Sequence, residues 1–182
     1  MILTGPEIVQ AVASGDIDIA PFRPAQLNPN SYNYRLGHEL IEISAIGPSR
    51  RKETYSLIPP TGYVLNPGRL YLGHTAEIIG SRRYVTTLLG RSSIGRLGLF
   101  LNITADLGHL GALSRWTLEL TVVQPLRVYP EMLVGQVSFW EISGASTPYS
   151  GRYHQDLGPK PNLDPELEQG NLNHSQVLYK SV

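Results

Sequence analysis

Glycine and proline interrupt this chain too often to leave room for long helices. Its 182 residues include 18 glycines and 14 prolines, and between them lie short runs in which apolar and polar side chains alternate. A period of two is the mark of a strand buried on one face, whereas a helix repeats every 3.6 residues. Such runs fall at 32–36, 39–43, 63–65, 70–74, 85–89, 100–104, 116–123, 126–129 and 133–142. Many short strands divided by turn residues indicate a β-sandwich, jelly roll or barrel, so the chain is expected to be mainly β. The N-terminus is the exception. Thr4 and Glu7 have capping-box spacing, Ile8, Val9 and Val12 make an apolar stripe, and Gly15 is placed to end the segment, which predicts one short helix. From Ser143 onward the strand pattern gives way to Pro, Gly, Asn and polar residues. Residues 1–142 are therefore read as one β domain and residues 143–182 as a tail or arm.

Charge and composition narrow the chemistry. Fifteen basic and fifteen acidic residues cancel, which argues against a nucleic-acid partner, whose binding rests on released counterions. No run of 18 or more apolar residues and no signal-peptide pattern is present, so no membrane association and a cytoplasmic location are expected. The chain has no cysteine, which removes disulfides, thiol nucleophiles and the Cys-ligated zinc of the zinc deaminases. The histidines at 38, 74, 109, 154 and 174 lack zinc-ligand spacing, so no metal site of the protein's own is expected.

Two stretches carry candidate chemistry. The first runs Arg91-Ser92-Ser93-Ile94-Gly95-Arg96-Leu97-Gly98 and follows a strand. A short helix or turn there gathers hydroxyls, backbone N–H groups and two guanidinium groups, a combination suited to phosphate. A solvated surface helix is the plainer alternative. The second runs from Arg115 to Val122. Alternation puts Trp116, Leu118, Leu120 and Val122 on one face and Thr117, Glu119 and Thr121 on the other. A glutamate centred in such a strand is solvated, paired or functional, and spacing alone does not choose among these.

The wider pattern of motifs resembles the dCTP deaminase family of the dCTP deaminase/dUTPase superfamily. The resemblance lies in Gly15-Asp16-Ile17 with Ala20-Pro21-Phe22, Pro24, Gln26-Leu27, Pro29 and Ser31, followed by Arg35-Leu36-Gly37. It continues through Leu65-Asn66-Pro67-Gly68, the whole of 90–99, Thr104-Ala105, Thr117-Leu118-Glu119 and the run 130–136. The resemblance implies a dUTPase-like fold, a distorted jelly roll or β-barrel. It further implies a homotrimer with active sites between subunits, and a C-terminal tail that closes over a pyrimidine nucleotide. It gives Glu119 the role of water-activating base, with Ser92, Arg96 and the carbonyl of Ala105 holding the water. This is general acid–base chemistry that needs no zinc. Arg91, Ser92 and Ser93 are implied to contact the phosphates, with Mg²⁺ arriving as their companion. Thr117, Leu118, His109, Tyr149, Arg152 and Asp156 complete the candidate substrate contacts.

The loop 106–114 departs from the family pattern. The position of the family's sugar-binding Asp, which takes the deoxyribose 3′-hydroxyl, is His109 here; its aromatic is Ala112 and its last glycine is Ser114. In the tail, Tyr149, Arg152 and Tyr153 resemble the family's Tyr, Lys and Tyr, but Asp156 stands where the family has Gln. An acidic group beside a triphosphate repels it. The expectation is a cytosine-nucleotide deaminase with altered sugar and phosphate recognition, taking a ribonucleotide, a monophosphate or a modified cytosine. Dedicated dUTPases use an Asp in this loop to activate water, so its loss favours deamination over pyrophosphate release. The alternatives are a dUTPase-type pyrophosphatase and a non-catalytic nucleotide-binding homologue.

Overall fold

A computed structural model describes residues 1–45, 51–101, 105–151 and 157–161. Among the candidate site residues, Arg152 and Asp156 lie outside the described residues, as do Tyr153 and Thr104.

The chain opens with helix α1 (Gly5–Ser14). Of the expected apolar stripe Ile8 is buried, Val12 half-buried and Val9 exposed, and Ala11 takes the inward position instead; Gly15, at φ 79°, caps the helix end by donating to the carbonyls of Ala11 and Val12. The expected capping box does not form. Thr4 is the N-cap residue but makes no side-chain cap hydrogen bond. Pro6 in the first turn carries no N–H, and the N–H of Gly5 is taken by the carbonyl of Pro29 at 2.8 Å. With those donors removed or satisfied, the threonine hydroxyl has less to cap.

The strands then follow as β1 (Ile17–Ala20), β2 (Leu27–Asn28), β3 (Ser31–Arg35), β4 (Glu39–Ala45), β5 (Arg51–Leu57), β6 (Tyr63–Leu65), β7 (Leu70–His74), β8 (Ile78–Ser81) and β9 (Val85–Gly90). A one-turn helix α2 (Ser92–Gly95) precedes β10 (Leu99–Leu101), β11 (Leu107–Gly108), β12 (Leu113–Ser114), β13 (Thr117–Val122), β14 (Leu126–Val128) and β15 (Leu133–Trp140). One five-stranded sheet has the order β10-β13-β7-β4-β5 and the other β11-β9-β15-β3-β2. Smaller sheets, β1-β8-β12 and β14-β6, complete the set. The pairings are antiparallel, and the sheets stay open rather than closing into a barrel.

Both large sheets feed one core, in which Leu118 and Leu120 of β13 join Tyr32 and Tyr34 of β3, Leu88 of β9 and Phe139 of β15. Burial of these side chains contributes on the order of 1.5–3 kcal/mol each. The alternation predicted for β13 is present: Leu118, Leu120 and Val122 are buried, while Thr117, Glu119 and Thr121 are half-buried on the other face. The sequence reading passed over β1, β5 and β8 and the two-residue strands β2, β11 and β12. β5 reads Arg-Lys-Glu-Thr-Tyr-Ser-Leu and forms a sheet edge, where charge protects unpaired backbone and erases the apolar alternation. β8 is four residues long and carries Gly80, whose missing Cβ admits the backbone of Ala112, 2.2 Å from where that Cβ would stand.

Candidate active site

The polar turn at 91–96 is built on the end of β9. Tyr34, fully buried, donates its phenol to the carbonyl of Leu89 at 3.1 Å. Burial, together with nearby Glu77, pushes that phenol well above its usual range, so it remains a donor. The Arg91 N–H then donates to the carbonyl of Val134 at 3.2 Å. Ile94 is buried and holds α2 to the core, leaving Ser92, Ser93 and Arg96 exposed and Arg91 half-buried. Gly98, at φ 87°, turns the chain back into β10.

β10 leads to Glu119. It pairs with β13 through Leu99–Val122, Phe100–Thr121 and Leu101–Leu120, and Glu119 lies one position further on, opposite Leu72 of β7. Ala105 is exposed and reaches the region by another route. The carbonyl of Asp106 accepts the Leu88 N–H at 2.8 Å, and Leu107 pairs with Thr87. That antiparallel register carries Ala105 toward Leu89, at the same end of β9 as the 91–96 turn.

The sugar-side candidates are elsewhere. Gly108 pairs with Thr86, so His109 falls beside Val85, at the opposite end of β9. A six-residue strand spans roughly 17 Å from first to last residue. Within one chain, His109 and the 91–96 turn are therefore separated by the length of β9. His109 instead stacks on Tyr149, with ring centroids 5.4 Å apart and an interplanar angle of 26°. The Tyr149 N–H donates to the carbonyl of Leu110 at 2.8 Å. These residues line a depression completed by Val85, Leu110, Ile142, Ser146 and Thr147. Trp116 joins this loop to β13: its ring packs where a Cβ on Gly108 would stand, and its indole N–H donates to the carbonyl of Ile79 at 2.8 Å.

Thr117 faces a second tail segment. Its hydroxyl accepts the Lys160 N–H at 3.1 Å, and Arg115 reaches the carbonyl of Leu157 at 3.5 Å. Across the strand pair from Thr117 is His74, buried, with Nδ1 2.8 Å from the Thr75 carbonyl and Nε2 3.8 Å from Glu39. Leu118 points into the core, with its side chain fully buried, so only its backbone is available to a ligand.

A buried ion pair joins the end of β3 to the residue before β8. Arg35 Nε donates to Glu77 Oε1 at 2.6 Å and the Arg35 backbone N–H to Glu77 Oε2 at 2.9 Å. Gln26 donates to the same Oε1 at 3.0 Å. Arg35 also engages Glu131, which lies at φ 65° in the turn before β15. Sequence reasoning included Arg35 only as part of a motif and missed Glu77. The signal available was a buried-looking run, Ser31–Arg35, with a cation at its end.

Four large apolar side chains surround the polar turn: Leu89, Leu97, Phe100 and Val123 are each between 45% and 67% exposed.

A dCTP deaminase-like family model matches residues 2–142. A dUMP-forming dCTP deaminase of Hathewaya histolytica is 44% identical over 167 residues, which are 90% of this chain and 96% of that protein. The chain belongs to the dCTP deaminase-like family. Another family member, a dCTP deaminase of Rhodopirellula baltica, is 44% identical over 179 residues, covering 96% of this chain and 87% of the relative. The crystal structure of a 2′-deoxycytidine 5′-triphosphate deaminase from Agrobacterium tumefaciens shares the fold. Its TM-score is 0.62 at 21% identity, over 76% of this chain and 47% of that one. Among the described residues, no helix is long and apolar enough to cross a membrane.

Proposed function

We propose that this protein is a cytosine-nucleotide deaminase in which Glu119 activates water without zinc. The observation that carries this reading is the placement of Glu119. It sits on the half-buried polar face of β13, between Thr117 and Thr121, with the core side of the strand sealed by Leu118 and Leu120. A carboxylate held on a rigid strand but open on one side meets the positional need of a general base.

In the proposed reaction Glu119 takes a proton from water, and the resulting hydroxide bonds to C4 of the cytosine ring. The carboxylic acid returns a proton to the ring nitrogen. The carboxylate next takes the C4 hydroxyl proton and passes it to the amino nitrogen as the C4–N bond breaks, so that ammonia leaves, the C4 carbonyl forms and a uracil nucleotide remains. Ser92, Arg96 and the carbonyl of Ala105 hold the water and the developing charge. Arg91, Ser92 and Ser93 take phosphate oxygens, with Arg152 of the tail as a further cation. The 91–96 turn offers hydroxyls and guanidinium groups rather than carboxylates, so Mg²⁺ enters as the counter-ion of the substrate's phosphates.

The site is proposed to lie between subunits of a homotrimer. The separation of His109 from the 91–96 turn by the length of β9 supports this, as does the apolar collar of Leu89, Leu97, Phe100 and Val123. A neighbouring copy would bring the two ends together and cover that collar.

Two relatives' names divide on the product, one of them being dUMP-forming. That name supports a second reading in which pyrophosphate is also released. An ammonia-release assay on dCTP, dCMP, CTP and CMP, with the phosphate products resolved, tests both. Glu119→Gln is expected to lose turnover and keep nucleotide binding; an active variant overturns the assignment. Activity confined to dCTP overturns the expectation of altered specificity set by His109 and Asp156.

A further inference from the structure

His109 is exposed, and an exposed imidazole has rotamer freedom that works against recognising one hydroxyl group. Three contacts remove that freedom here. The ring lies face to face with Tyr149 at 5.4 Å. The backbone of Tyr149 is bonded to the carbonyl of Leu110, next to His109. Gly111, at φ 82°, leaves a gap in which Pro148 comes within 3.0 Å of the missing Cβ. Tyr149 also meets Gly151. Its ring lies over Gly151, where a Cβ would come within 2.1 Å of the phenol oxygen. The aromatic ring thus stacks on the imidazole and has its phenol end close to Gly151, where a side chain would displace it.

The adjoining depression has apolar walls from Val85, Leu110 and Ile142 and hydroxyl groups from Ser146 and Thr147. Apolar surface with convergent hydroxyl and imidazole groups is the lining a sugar requires. We propose that Tyr149 is a positioning residue for His109, fixing the imidazole so that it selects nucleotides by a sugar hydroxyl. This rests on the assignment of His109 to the sugar side of the proposed deaminase site. It makes the start of the tail part of substrate selection rather than only a cover.

The test is direct binding in the Glu119→Gln background, measured by calorimetry so that turnover plays no part. Each variant is titrated with two ligand pairs, dCTP against its 3′-deoxy analogue and dUTP against its 3′-deoxy analogue. The parent is expected to favour the 3′-hydroxyl about tenfold. His109→Ala and Tyr149→Ala should each bring that ratio close to one, and Tyr149→Phe, which keeps the ring, should retain it. Gly151→Ala, which displaces the ring without touching its chemistry, should behave like Tyr149→Ala. A ratio that survives Tyr149→Ala, or a parent with no preference for the hydroxyl, overturns the proposal. A preference seen with the dUTP pair when dCTP does not bind would sink the deaminase reading and leave this inference standing.

Discussion

The hydroxyl of Tyr34 reaches across β15 to the carbonyl of Leu89, one residue before Gly90 and two before Arg91. It can do so because Gly135 has no side chain: a Cβ there would lie 2.0 Å from the phenol ring. A core tyrosine and a core glycine thereby set the angle at which the polar 91–96 turn leaves the sheet.

Removing the hydroxyl and crowding the ring should therefore differ. Tyr34→Phe is expected to cost about 1 kcal/mol of stability and to weaken nucleotide binding through the turn. Gly135→Ala should cost about 3 kcal/mol from overpacking. Denaturant melts give the stabilities. Equal losses for the two variants would contradict the account.

The Arg35–Glu77 pair is almost fully removed from solvent on both sides. Glu77→Gln removes the buried one of the guanidinium's two counter-charges and leaves only the half-exposed Glu131, and a loss of roughly 3 kcal/mol is expected. Among the described residues Arg35 Nη2 is already buried without a hydrogen-bond partner, so Glu131 is the acceptor left to the guanidinium. Chemical denaturation of Glu77→Gln tests this, and a change below about 1 kcal/mol would mean that water reaches the pair.

His74 sets a pH dependence. Burial lowers its pKa from the ordinary 6.5; the Thr75 carbonyl and Glu39 oppose that shift, while Arg115 and His38 add to it. The unfolded chain thus binds a proton at a higher pH than the folded one. Stability from this group is complete above about pH 6.5 and falls as the pH drops toward the lowered folded value. One proton limits the slope to about 1.4 kcal/mol per pH unit. Thermal melts across that window should slope for the parent and flatten for His74→Leu. The same slope in both would assign it elsewhere.

The sequence was most legible where a pattern had a single physical cause. β13 alternates because one face meets the core, so Glu119 could be placed on its polar side from spacing alone. Gly15 could be read as a helix stop because its left-handed conformation disfavours other residues. The capping-box spacing of Thr4 and Glu7 was legible but its bonds were not, because spacing does not fix the rotamers that would close them, and Thr4 makes no side-chain cap hydrogen bond. Glu77, His74 and the His109–Tyr149 stack were illegible for a different reason. Each depends on residues tens of positions apart, and no local rule reports what a folded chain places across a strand.

β9 has a consequence for mixtures of defective chains. If its two ends serve different sites, Arg96→Ala at one end and His109→Ala at the other should not disable the same half of each one. Co-refolding two inactive variants in equal amounts should then return activity, with roughly a quarter of the shared sites intact. An inactive mixture would instead place every essential group within a single copy. With activity restored, the chain's catalytic unit is not a molecule but a junction, and its competence a property of neighbours.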